Sequence, residues 1–68
     1  MKVFGERLRV IRNDRHLKQS DIAERLNVSA NTIHAWETDK QEPSMITILK
    51  LSEILDVSLD YLFGKSDY

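Results

Sequence analysis

The segment at residues 26–37, "LNVSANTIHAWE", predicts the end of one helix, a tight turn and the start of another. Asn27 is a residue type that tolerates the left-handed backbone conformation at which helices end. Ser29 is a good N-cap for the next helix, because its hydroxyl can accept a hydrogen bond from an unpaired backbone N–H. In that next helix, Ile33 and Trp36 are the only large apolar residues, and they share one side.

A connection of this length makes two helices cross steeply, as in a helix-turn-helix. Ala23 is small, which suits the place where the second helix passes over the first. The large apolar residues predicted to hold the two helices together and to the rest of the chain are Ile22, Leu26, Val28, Ile33 and Trp36. Because these residue types occur together at fixed offsets, we predict a helix-turn-helix formed by the second and third helices.

Helical periodicity also covers the rest of the chain. The predicted helices span about residues 3–14, 19–26, 30–37, 45–55 and 59–63. Pro43 and Ser44 give a break and a new N-cap, Ser58 caps the last helix, and Gly64 stops it. Five helices with short connections predict an all-α compact bundle. With 68 residues, we expect a single domain over residues 1–68.

The composition excludes several classes of protein. Without cysteine there is neither a disulfide framework nor a thiolate metal site. No apolar run approaches the roughly 20 residues of a membrane span, and the N-terminus does not resemble a signal peptide. We therefore expect a cytoplasmic protein.

Charge is unevenly distributed along the chain. Residues 1–25 hold seven Lys and Arg against four Asp and Glu, whereas residues 43–68 hold two against four, within a formal net charge of −1. This asymmetry is compatible with one face that meets an anion. The alternative is an ordinary solvated surface of mixed charge.

No arrangement typical of an enzyme is present. The two histidines lie in different elements, and the sequence has no Gly-rich phosphate loop and no metal-ligand spacing. The acids are scattered, without a helical pair on an apolar face. We predict that the chain is not an enzyme, and we expect no cofactor, no metal and no small-molecule ligand.

The predicted third helix has an outward face that carries no large apolar and no acidic residue. Asn31, His34, Ala35 and Thr38 fall opposite Ile33 and Trp36, with Ala30 at the N-terminal edge. A DNA major groove admits a helix; Asn can pair with adenine, and an alanine methyl can pack on a thymine methyl. Plain polar surface is the alternative for Asn31 and His34.

Nearly the whole chain resembles the Xre/Cro/cI-type helix-turn-helix family of bacterial and phage transcriptional repressors. The matching segments are "LKQSDIAERLNVSANTIHAWETDKQEPS" and "ILKLSEILDVSLDYLFG". The resemblance implies a five-helix, lambda-repressor-like fold that binds double-stranded DNA at an inverted-repeat operator. It implies base contacts from Ala30, Asn31, His34 and Ala35. It implies contacts to the DNA backbone from Gln19, Ser29, Thr32, Thr38 and Lys40. Arg12 and Glu37 match a structural ion pair of the family.

The sequence departs from the family pattern at a few positions. Lys18 stands where a capping residue is common before the second helix. Ala30 and Ala35 occupy positions where many relatives carry Gln, Asn or Arg, so hydrogen bonding to bases rests on Asn31 and His34. These alanines and the near-neutral charge motivate an alternative function, a protein-interaction module such as an antitoxin or an anti-repressor partner on the same fold.

The fourth predicted helix has more apolar residues than one small core requires. Its inner stripe is predicted to be Met45, Ile48, Leu51, Ser52 and Leu55. The remaining apolar groups predict the interface of a homodimer, formed by Ile46, Leu49, Leu59, Tyr61 and Phe63. Dimers of this motif bind two half-sites about 34–36 Å apart. The alternative is a wide core stripe within one chain.

Overall fold

The structure is a computed structural model that describes residues 2–67, and these form five α-helices without a β-strand. The helices are α1 (Lys2–Asp14), α2 (Gln19–Leu26), α3 (Ala30–Glu37), α4 (Met45–Leu55) and α5 (Leu59–Leu62). The all-α, five-helix prediction is confirmed, and every predicted boundary lies within one residue of the observed one. No helix of residues 2–67 has the length and apolar character needed to cross a membrane.

Local capping explains where the helices begin. Three helices start after a serine whose hydroxyl accepts from the backbone N–H three residues later: Ser29 for α3, Ser44 for α4 and Ser58 for α5. At α2, Lys18 offers no side-chain acceptor, as the sequence predicts. Instead, the Asp21 carboxylate accepts a hydrogen bond of 2.7 Å from the Lys18 backbone N–H, which satisfies one donor at that end.

Four helices are followed within two residues by a residue other than glycine that has the left-handed backbone conformation. These residues are His16, Asn27, Asp39 and Asp56, with φ between 51° and 61°. After α2, the N–H of Val28 donates to the Ala23 carbonyl at 3.0 Å and closes the turn. The prediction for Asn27 is confirmed. Asp and His also tolerate this conformation better than most side chains.

The core is a single cluster to which all five helices contribute. Its buried apolar residues are Phe4, Leu8, Ile11, Ile22, Ala23, Ile33, Trp36, Ile48, Leu51, Leu55, Tyr61 and Leu62. Leu17, Leu26, Ile54, Val57, Leu59 and Phe63 pack against this cluster at its edge. Burial of these side chains is the dominant favourable term in folding a chain of this size.

Three predictions about burial need correction. Met45 is 60% exposed instead of lining the core, because it lies one helical turn before Ile48, where α4 first enters the core. Val28 is 37% exposed and is not among the side chains that pack against the core. Tyr61, predicted to lie in a dimer interface, is only 9% exposed, and the Arg7 guanidinium lies 4.5 Å from its ring centroid.

Gly5 sets how closely α1 approaches the end of α3. A Cβ at this position would lie 2.6 Å from the Trp36 carbonyl oxygen and 2.8 Å from that of Glu37. Both distances are shorter than any van der Waals contact, so only glycine permits the observed packing. Through this contact α1 fixes the C-terminal end of α3.

Arg7 of α1 and Arg15, which directly follows α1, bind carbonyl groups far along the chain. Arg15 Nε donates to the Leu55 carbonyl at 2.8 Å, at the end of α4, where a cation is favoured by the helix dipole. Arg7 donates to the Ser66 carbonyl at 2.7 Å. Part of the positive charge in residues 1–25 is therefore used within the molecule, and is not available to an external anion.

Candidate nucleic-acid interface

Helix α3 presents one side to the core and the other to solvent. Ile33 and Trp36 are buried, whereas Ala30, Asn31 and His34 are exposed. Of the remaining residues of the predicted outward face, Ala35 is half-buried and Thr38 is exposed. The sequence prediction of which side of α3 faces outward is therefore confirmed, and no large apolar side chain interrupts that face.

The two hydroxyl groups at the start of α3 bind each other. Ser29 Oγ accepts from the Thr32 backbone N–H at 3.2 Å, and the two side-chain oxygens are 3.0 Å apart. One hydroxyl hydrogen is used between them, so the pair retains a single hydrogen for an external acceptor. The first turn of a helix also leaves backbone N–H groups without intrahelical acceptors.

The other end of α3 offers fewer donors than the sequence predicts. Thr38 Oγ1 donates to the His34 carbonyl at 2.8 Å, and the Thr38 backbone N–H is also bound to α3 carbonyls. Because both Thr38 donors are engaged, this residue has none left for a phosphate oxygen. Lys40 is exposed, and its ammonium group makes no hydrogen bond or ion pair within residues 2–67.

Glu37 is the centre of a hydrogen-bonded cluster beneath α3. Its carboxylate, 2% exposed, accepts from Arg12 Nε at 2.6 Å and from Arg12 Nη2 at 3.1 Å. Gln19 Nε2 donates to the same carboxylate at 3.1 Å. The predicted ion pair between Arg12 and Glu37 is present. The sequence did not predict that Gln19 joins it, because nothing local marks a contact across 18 residues.

This cluster also determines the charge near the outward face. Glu37 is the only acid in α3, and the Arg12 guanidinium neutralises it inside the fold. Asp39 follows α3 and is exposed, next to Lys40. The face formed by Ala30, Asn31 and His34 therefore carries no negative charge of its own, and a polyanion can approach it.

Gly5 and Gln19 both help to hold α3 in place, Gly5 by its close contact with the end of α3 and Gln19 by its hydrogen bond to Glu37. The sequence predicted neither of these structural roles. A glycine inside an amphipathic helix is a signal for close packing, and Gly5 could have been noticed on that ground. Among residues 2–67, no group of three His, Asp or Glu side chains comes together to hold a metal ion.

Known proteins with similar sequences carry the same motif. A family model described as helix-turn-helix matches residues 8–62. The chain is 40% identical over 64 residues to the HTH-type transcriptional regulator ImmR of Bacillus subtilis (strain 168), a match that covers 94% of this chain and 50% of ImmR. It is 34% identical over 61 residues to repressor protein C2 of Salmonella phage P22, covering 90% of this chain and 28% of that protein. The chain thus spans half the length of ImmR and less than a third of the length of C2.

A solved structure matches the fold. The P22 c2 repressor in complex with the synthetic operator 9T, determined in the presence of Tl⁺, superposes with a TM-score of 0.85 at 32% identity. The match covers 97% of this chain and 100% of the repressor chain in that structure. The family model covers most of the sequence, including α2, the turn and α3. The chain therefore belongs to the helix-turn-helix family.

Proposed function

We propose that this chain is a sequence-specific, double-stranded-DNA-binding transcriptional regulator, most simply a repressor, that inserts α3 into the major groove. The observation that carries the proposal is the outward face of α3, which is exposed, free of acids and held from below by the Arg12–Glu37 pair. The fold likeness to a repressor bound to a synthetic operator supports the same function.

Base contacts are assigned to Ala30, Asn31, His34 and Ala35. The first three are exposed, and Ala35 lies beside them at the edge of the core. The width of the major groove accommodates an α-helix. Rigid attachment of α3 matters for such a contact, because hydrogen bonds to base edges require fixed positions. Gly5 and Glu37 provide that attachment.

Contacts to the DNA backbone are assigned to both ends of the motif. Gln19 keeps one amide hydrogen for a phosphate oxygen while the other is bound to Glu37. The Ser29–Thr32 pair supplies one hydroxyl hydrogen, and Lys40 supplies an ammonium group. We leave Thr38 out of this set, because its donors are engaged within α3. Contacts of this kind position the protein without reading sequence.

We further propose that two copies bind an inverted repeat through an apolar surface on α4. Ile46 is 67% exposed and Leu49 44% exposed, and Met45, at 60%, adjoins them. Leu59 and Phe63 of α5 are half-buried at the edge of the core, and we assign their exposed parts to the same interface. Tyr61 is excluded because its ring is buried under Arg7.

The test is binding of the 68-residue chain to a randomised duplex pool, followed by enrichment of bound sequences at two salt concentrations. Expected are an enriched inverted repeat and affinity that falls steeply with salt, because phosphate contacts release counterions. Asn31→Ala should remove the base preference at the positions of the enriched sequence that Asn31 contacts. The matched control is Asn13→Ala, an exposed asparagine on α1 outside the motif. It should leave the enriched sequence unchanged.

The alternative, a protein-interaction module on the same fold, predicts a different result. Absence of binding to any duplex at low salt would contradict the proposed function and favour a protein partner. Binding without enrichment would leave a protein that contacts only the DNA backbone. In that case Asn31→Ala and Asn13→Ala would bind alike, while Lys40→Ala would weaken binding to every sequence.

A further inference from the structure

Few groups on the outward face of α3 are free to make hydrogen bonds. The hydroxyls of Ser29 and Thr32 bind each other, and the Thr38 hydroxyl binds a backbone carbonyl. The Asn31 amide and the His34 imidazole, by contrast, make no hydrogen bond with other residues of the described chain. Direct recognition of bases by this helix therefore depends on one amide and one imidazole.

Helix α3 lacks the side chains that make the commonest specific contact in the major groove. That contact is a bidentate pair between Arg or Lys and guanine. Residues 29–38 contain neither Arg nor Lys. The next cation along the chain, Lys40, lies beyond the end of α3, and the Arg12 guanidinium is held by Glu37 on the inner side. Asn31 instead matches adenine, because the adenine N6 amino group can donate to the amide oxygen while N7 accepts from the amide N–H.

Methyl groups make up the rest of the face. Ala35 lies four positions after Asn31, and His34 lies four positions after Ala30. Residues at this spacing are neighbours on the surface of a helix. The Ala35 side chain is half-buried, so its methyl is held in place beside the exposed Asn31 amide. Alanine methyls pack favourably on the 5-methyl group of thymine.

Resting on the proposed function, we infer that α3 selects an A·T-rich half-site. Asn31 pairs with an adenine, and the Ala35 methyl packs on the 5-methyl group of a thymine next to that base pair. Guanine is not read at either position, because no guanidinium or ammonium group reaches it from α3.

The test uses chemically altered DNA with the unaltered chain, so that no variant needs to fold. The enriched duplex is remade with 7-deazaadenine at each adenine in turn, which removes the N7 acceptor. One such position should weaken binding roughly tenfold, the effect of one bidentate pair. Uracil in place of the neighbouring thymine removes only the methyl group, and should weaken binding roughly threefold.

Protein variants then assign each effect to a side chain. Asn31→Ala should lose sensitivity to 7-deazaadenine and keep sensitivity to uracil. Ala35→Gly should do the reverse, with circular dichroism confirming that it is folded. Asn13→Gly, at an exposed position of α1 outside the motif, is the control for a glycine placed in a helix. Replacing the read thymine by 5-methylcytosine, paired with guanine, should retain the methyl contribution.

The outcomes separate this inference from the proposed function. An enriched half-site with G·C at the positions sensitive to Asn31→Ala would overturn the inference and leave a DNA-binding regulator. Equal binding to the thymine and uracil duplexes would overturn the role of Ala35. Failure to enrich any sequence would overturn the proposed function, and the inference with it.

Discussion

Glu37 joins the end of α3 to α1, because its buried carboxylate accepts hydrogen bonds of 2.6 and 3.1 Å from the Arg12 guanidinium. Arg12 also donates to the Leu17 carbonyl at 2.8 Å, in the connection that leads to α2. One guanidinium thus ties α1, the entry to α2 and the end of α3 together. The charge pair is therefore part of what orients α3.

Arg12→Met should lower the free energy of unfolding by about 3 kcal/mol, because it leaves the Glu37 carboxylate buried without its partner. Adding Glu37→Leu should restore much of that stability, since two apolar side chains can replace a buried ion pair. Urea denaturation measures all three chains. Arg9→Met is the control, because Arg9 is exposed and has no partner among residues 2–67. Equal losses for Arg9→Met and Arg12→Met would contradict the assignment.

Gly5→Ala should destabilise the fold by about 1–3 kcal/mol, the usual effect of inserting a methyl group into a packed contact. The added Cβ would lie 2.6 Å from the Trp36 carbonyl oxygen, so α1 and α3 must move apart. Asn13→Ala is the matched control on the exposed side of α1, where alanine favours the helix. Thermal unfolding compares the two; a melting temperature for Gly5→Ala at or above the native value would disprove the close approach.

Substitutions at Asn27 should follow the ease with which each residue adopts positive φ. The observed φ of 57° predicts stability in the order Gly, Asn, Ala, Val. The valine variant should lose about 1–2 kcal/mol, because a side chain with Cβ branching strains the left-handed conformation. Calorimetric melting temperatures give the order directly. If valine matched glycine, the turn between α2 and α3 would have to differ from the one described.

Ile46→Asp combined with Leu49→Asp should leave the monomer folded, because Ile46 is 67% and Leu49 44% exposed and neither belongs to the buried core. If two copies meet through α4, this double variant should bind a duplex with two half-sites as weakly as a duplex with one. Val10→Asp is the control, an apolar residue of α1 that is 48% exposed. Gel-shift titrations on both duplexes measure the difference. Unchanged preference of the double variant for the paired half-sites would reject the proposed surface.

The sequence by itself determined the helices and their ends. Asn27 and the cap serines Ser29, Ser44 and Ser58 act through hydrogen bonds and φ preferences within a few residues, which local sequence encodes. The inward and outward sides of α3 also follow from spacing alone, because Ile33 and Trp36 must be buried together.

Tertiary structure decided the features that depend on residues far apart in the chain. Gly5 meets the carbonyl of Trp36, and Arg15 meets that of Leu55, across 31 and 40 residues. The same long-range packing buries Tyr61 and leaves Met45 in solvent, although both are apolar positions in amphipathic segments. Periodicity predicts that a helix has an inner face. Whether a residue at the edge of that face is buried depends on how the helices cross, which only the tertiary structure shows.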